Sequence, residues 1–139
     1  MKQITYCGAL FFLAILVPED IREKRISAKT VIVFGLLALI CRFAEGHGQI
    51  LAEVVCSLIP GFFLLMLSII SKESIGLGDG LAVAVLGVWL GSIETFMILC
   101  IAWTLAGVYA VVYIMRKRKE PIPFIPFLLL GMEVLLFYV

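Results

Sequence analysis

The chain has 139 residues, 63% of them hydrophobic and 15% charged, with a mean hydropathy of +1.18. A soluble domain is about half apolar, so this composition excludes a water-soluble globule and a disordered chain. A mass of 15.4 kDa leaves room for one domain, residues 1–139. The 11 basic and 10 acidic residues nearly cancel, and nothing suggests a nucleic-acid surface.

Apolar runs alternate with short polar loops along the chain. The first run, 4–17, ends at Pro18 and the charged stretch 19–25. It has no small-residue cleavage pattern before Pro18, so it reads as a span and not as a removable signal peptide. The second, 30–43, is short, with Lys29 and Arg42 able to snorkel at its ends. Residues 45–49 form a turn. The third run, 50–70, contains Pro60-Gly61, a site for a kink. After the polar 71–74, Ile75-Gly76-Leu77-Gly78-Asp79-Gly80 opens a fourth run that reaches Leu90. Gly91-Ser92 breaks it from the fifth, 93–115, which stops at the basic run 116–119. The last, 122–139, begins with Pro121, Pro123 and Pro126.

A bilayer crossing takes roughly 20 apolar residues in a helix, since lipid satisfies no open backbone group. These runs predict an all-α polytopic membrane protein, a bundle of about six transmembrane helices. Six spans put loops 1, 3 and 5 on one side, with nine of the eleven basic residues; Lys2 and Arg42 fall on the other. The positive-inside rule makes the nine-residue side cytoplasmic and leaves both termini outside. A five-helix alternative, with 81–115 continuous, loses this asymmetry.

Cys7, Cys41, Cys56 and Cys100 stand singly in apolar runs. No CxxC or Cys/His cluster is present, so the expectation is no metal, no disulfide framework and small buried side chains. His47, the one histidine, lies in a Gly-rich turn. Trp89, Trp103, Tyr6 and Tyr138 are expected in lipid-facing or interfacial belts.

Acids in or beside spans are costly and are functional candidates. Glu19, Glu23, Glu45, Glu73 and Glu120 lie in charged loops and are expected in water. Glu53 and Glu94 fall near the outer helix ends. Glu133 stands inside an apolar run, either between helices or near the outer interface. The two aspartates differ: Asp20 follows the first span and Asp79 opens the fourth, both on the computed inner side. Two carboxyls brought together share a proton and can act as base and acid on one water. Gly76, Gly78 and Gly80 remove side chains around Asp79, leaving clearance for an extended peptide. The alternative for this motif is a Gly-rich helix start with Asp79 as a cap.

With Gly76-Leu77-Gly78-Asp79, Leu86-Gly87-Val88-Trp89-Leu90-Gly91, Asp20 followed by Arg22, Arg25 and Ile26, and the Pro-rich 122–128, the chain resembles the type IV prepilin peptidases. These are intramembrane aspartyl proteases of the GxGD class. It is similar to their short form, without the CxxC-bearing N-methyltransferase region. It departs from them at Leu81, where a Lys is common, and at Ile26-Ser27-Ala28, where Ile-Pro-Asn is common. The resemblance implies that Asp20 and Asp79 are catalytic, with Gly76, Gly78, Gly80, Arg22, Arg25, Pro123 and Pro126 as motif or substrate-channel residues. It implies no metal and no other cofactor. The implied substrates are prepilin or pseudopilin precursors, cut behind a basic leader at the inner face of a prokaryotic cytoplasmic membrane. Gly87, Gly91, Ala102, Ala106 and Gly107 are small enough to seat a substrate helix or to pack the enzyme's own helices. Two other classes fit the residues: a small ion-coupled transporter using the same aspartates, and a membrane scaffold subunit.

Overall fold

The structure is a computed structural model, and it describes residues 2–23, 26–44, 50–70, 76–116 and 122–138. Among these it forms six helices and no strand: α1 (Lys2–Glu23), α2 (Ala28–Ala44), α3 (Ile50–Ile70), α4 (Leu77–Leu90), α5 (Ser92–Met115) and α6 (Ile125–Tyr138). The chain is an all-helical membrane bundle. Helices α1, α3 and α5 carry windows long and apolar enough to cross a bilayer. Helices α4 and α6 are shorter, 14 residues each. For α4 the reason is its place. It is buried along most of its length and packs against α1, α2, α3 and α5, so it is the core of the bundle. A helix wrapped by helices needs less length than one facing lipid.

The outer surface is apolar, as lipid requires. Phe11, Ile40, Ile59, Ile93, Val108 and Phe137 are all exposed. Phe12, Leu13, Leu16, Leu64, Leu86 and Ile98 fill the interior.

The α3–α4 seam runs on small residues. A Cβ on Gly87 would collide with the Ser57 carbonyl oxygen, and one on Gly61 with the Ala84 backbone. Gly80 lies against Leu65, where a Cβ would sit 2.8 Å from the Leu65 side chain. Gly80, Ala84 and Gly87 therefore form one face of α4 at helical spacing. Their size lets the backbones close on each other. Gly131 does the same for α6, with the Ile98 carbonyl oxygen 2.8 Å from the position of a Cβ.

Gly91 makes the break between α4 and α5. Its φ of 99° is a conformation that L side chains rarely adopt. Its amide donates to the Gly87 carbonyl at 2.7 Å, closing α4, and its carbonyl accepts from Thr95 at 3.2 Å, opening α5. One residue turns the chain, as the Gly91-Ser92 signal predicts.

Several expectations are corrected. Pro18 does not end α1; the helix runs on to Glu23, so Asp20 lies in its last turns and not in a loop. Proline removes only the amide that would bond to the Ala14 carbonyl, and contacts of Glu19 and Asp20 hold the following turn. Pro60, a site for a kink, lies inside α3 without ending it. Helix α6 starts at Ile125, three residues later than the apolar run. Cys7, Cys56 and Cys100 are exposed on the apolar surface and not buried. Trp89 and Tyr6 are not belt residues: both are buried, with the Trp89 ring in the space beside Gly8. Trp103 and Tyr138 are exposed, as a belt requires. Lys24, Arg25, Glu45, His47, Lys72, Glu73 and the run 117–120 lie outside the described residues.

Candidate active site

Asp20 reaches the site from the end of α1 and is 7% exposed. Its Oδ2 accepts the Ile125 backbone N–H at 3.0 Å, and the Phe124 amide also faces it. The start of α6 explains why those donors are free. The first amides of a helix have no partner within it. Phe124 is the cap residue, its carbonyl accepting from Phe127 at 3.0 Å and Leu128 at 3.3 Å. Pro126, in the first turn, has no N–H to offer, and Pro123 precedes the cap. The unpaired amide of Ile125 therefore turns to Asp20, and the positive end of α6 faces a carboxyl group.

Asp79 stands three residues after Gly76, the N-cap of α4. Its own amide donates to the Gly76 carbonyl at 3.1 Å, and its carboxyl reaches back to the Gly76 N–H. This is the reach-back half of a capping box. Gly76 has no side chain between cap and carboxyl; a Cβ would sit 3.2 Å from Asp79 Oδ2. The cap alternative and the carboxyl-pair reading thus hold together, because the reach-back aims the carboxyl. Asp20 and Asp79 lie at the same end of the bundle, near enough for the charge of Asp20 to bear on the Asp79 carboxyl. Each carboxyl takes an amide from a helix start, α6 for Asp20 and α4 for Asp79 (two positive helix ends converging on one acidic pair).

The remaining motif residues are distributed around this pair. Ile26 fills the space beside Gly78, with its Cβ 2.9 Å from where a Gly78 Cβ would be. Leu65 fills the space beside Gly80. These two glycines therefore meet the chain's own side chains. Arg22 is exposed in the last turn of α1. Pro123 and Pro126 frame the start of α6, and Arg25 is outside the described residues. Among the described residues no group of three or more His, Cys, Asp or Glu side chains comes together as a metal site.

Glu19 stands in a charged stretch, yet it is a clamp and not simply solvated. Its carboxylate accepts the Ser27 N–H and the Thr30 hydroxyl, both at 3.2 Å. At the other end of the bundle, Arg42 Nε donates to the Val88 carbonyl at 2.9 Å, and its Nη1 lies 3.5 Å from Glu53 Oε2. Tyr6 hydrogen-bonds Glu94 there. Glu133 is exposed on the outward face of α6, remote from the aspartates along that helix. None of these pairings is visible as a sequence motif; the one hint is that each acid stands next to a helix end.

The profile of the type IV leader peptidase family matches residues 7–111, which include both aspartates, most of α1, all of α4 and the glycine motif. The α6 start that holds Asp20 lies beyond the matched span. No curated protein and no solved structure matches the chain. A match over well over half of the sequence, on the elements that carry the acidic pair, shows that this chain belongs to the type IV leader peptidase family, and that it is a peptidase of the membrane.

Proposed function

We propose that the protein is an aspartyl endopeptidase that removes the basic leader from prepilin-like precursors at the cytoplasmic face of the membrane. The observation that carries this reading is that Asp20 and Asp79, from helices distant in sequence, lie within electrostatic reach of each other at one end of an apolar bundle. A precursor with a basic leader and an apolar helix presents its junction at that depth. The cytoplasmic assignment rests on the nine basic residues of loops 1, 3 and 5.

The chemistry needs the two carboxyls and one water. The ionised partner takes a proton from the water, and the hydroxide forms a bond to the scissile carbonyl carbon. The protonated partner gives its proton to the carbonyl oxygen. The tetrahedral intermediate then breaks its C–N bond: the leaving nitrogen takes the proton held by the first carboxyl, and one hydroxyl of the intermediate returns its proton to the second as the C=O bond re-forms. The Ile125 amide and the Gly76 reach-back hold the two acids in place, so the pair is oriented before substrate arrives. In this reading Gly76, next to the Asp79 carboxyl, borders the substrate channel with Arg22, Pro123 and Pro126, while the space beside Gly78 and Gly80 is taken by Ile26 and Leu65.

Co-expression with a candidate prepilin, followed by the mobility of the leader on a gel, tests this. Asp20→Asn and Asp79→Asn should each lower processing by about a hundredfold or more while the protein still inserts. Full processing by either variant refutes the acidic pair.

A further inference from the structure

The geometry points to Glu19 as a positioning residue for the peptidase reaction: it pins the return of the first loop so that Ile26 stays wedged on Gly78, beside Asp79. The proposal rests on the peptidase reading for its effect on cleavage, but the wedge itself is a separate, physical claim.

Three observations carry it. Glu19 neighbours Asp20 on α1, and its two carboxylate oxygens take different donors from the far side of the loop, Ser27 N–H and Thr30 Oγ1. Ser27 is where α2 begins: its carbonyl accepts the first helical bond, from Val31, at 3.2 Å. In an ordinary capping box a Glu three residues into the same helix would satisfy the N-cap amide. Here the third residue is Thr30, too short for that, and Glu19 supplies the carboxylate from another helix. The bond therefore ties α1 to α2 at a fixed distance from Asp20.

The residue before Ser27 is Ile26. Its Cβ, Cγ1 and Cδ1 would lie 2.9, 3.2 and 3.0 Å from a Cβ on Gly78. Only a glycine admits Ile26 there, and Ile26 is half-buried against the core. The contact bears on the first turn of α4, one residue before Asp79. Glu19 thus acts on both acids: it shares the last turns of α1 with Asp20, and it holds through Ile26 the turn that presents Asp79. With the clamp removed, nothing else described holds the Ser27 amide, and the wedge loses its tether.

The test is a proximity measurement in the full chain, in membranes, with Cys7, Cys41, Cys56 and Cys100 replaced by Ser. Ile26→Cys with Gly78→Cys should form a disulfide rapidly on mild oxidation. Adding Glu19→Ala should slow it by about tenfold, and Thr30→Val, which removes one donor and keeps the shape, should slow it less. Adding Glu19→Gln, which still accepts from Ser27, should restore most of the rate. In the chain with native Ile26 and Gly78, Glu19→Ala should lower kcat for leader cleavage with KM little changed, and Glu23→Ala should do neither. An unchanged disulfide rate in Glu19→Ala overturns the proposal, as does a loss of kcat that Glu19→Gln fails to rescue. If Asp20→Asn still cleaves, the peptidase reading fails while the disulfide result stands by itself.

Discussion

Asp20 and Asp79 are both aimed by backbone amides, and the amides are available because of what stands next to them. Pro126 keeps α6 from offering a second donor in its first turn, and Gly76 lets the Asp79 carboxyl fold back on its own cap. The same scale explains the α3–α4 seam. Gly87→Ala should lower stability by about 1–3 kcal/mol, because the new methyl meets the Ser57 carbonyl and the backbones must separate. Gly107→Ala is the matched control. No atom lies within 4 Å of a Cβ there, and alanine is the better helix former by about 1 kcal/mol. Thermal unfolding in detergent should show the first variant melting earlier and the second unchanged or later. A Gly87→Ala protein as stable as the parent contradicts the seam.

Helices were legible in this sequence, and their faces were not. Uniform apolar runs mark the spans, and Gly91-Ser92 marks the break between α4 and α5, because only glycine takes the φ it needs. A run that is apolar all round has no polar face to show which side turns inward. That is why Trp89 looked like a belt residue and Cys56 like a core one, and the structure reverses both. Pro18 misled for a related reason: a proline ends a helix only when nothing beyond it holds the turn. Asp20 and Asp79 could be singled out by type and position, whereas Glu19 and Ile125 could not, since their partners are set by tertiary approach. Arg42 is another such case, joining the ends of α2 and α4 through Nε and the Val88 carbonyl. Arg42→Lys keeps the charge but loses the donor fork. It should cost about 1 kcal/mol in the same unfolding measurement. Glu53→Ala should cost less, since its ion pair with Arg42 is long and half of the Glu53 side chain is exposed. Equal losses in the two variants would mean that the ion pair, and not the carbonyl bond, does the holding.

At the scale of the whole molecule, the bundle wraps one buried helix, α4, and sets its start beside the end of α1 and the start of α6. The acids thus lie at one end of the apolar bundle, beside the helix ends. The proposed orientation rests on the basic loops: in a cysteine-free background, Lys117→Cys should react with an impermeant thiol reagent only from the cytoplasmic side. Labelling from outside in intact cells would invert the orientation. The whole account depends on two remote carboxyls working as one unit on one amide bond. The most direct measurement is the single-turnover cleavage rate of a prepilin by purified, folded Asp20→Asn, Asp79→Asn and the double variant. The account predicts a loss of about a hundredfold or more in each single variant and no further loss in the double, because either change disables the same unit. A single variant that cleaves within a few-fold of the parent would contradict it.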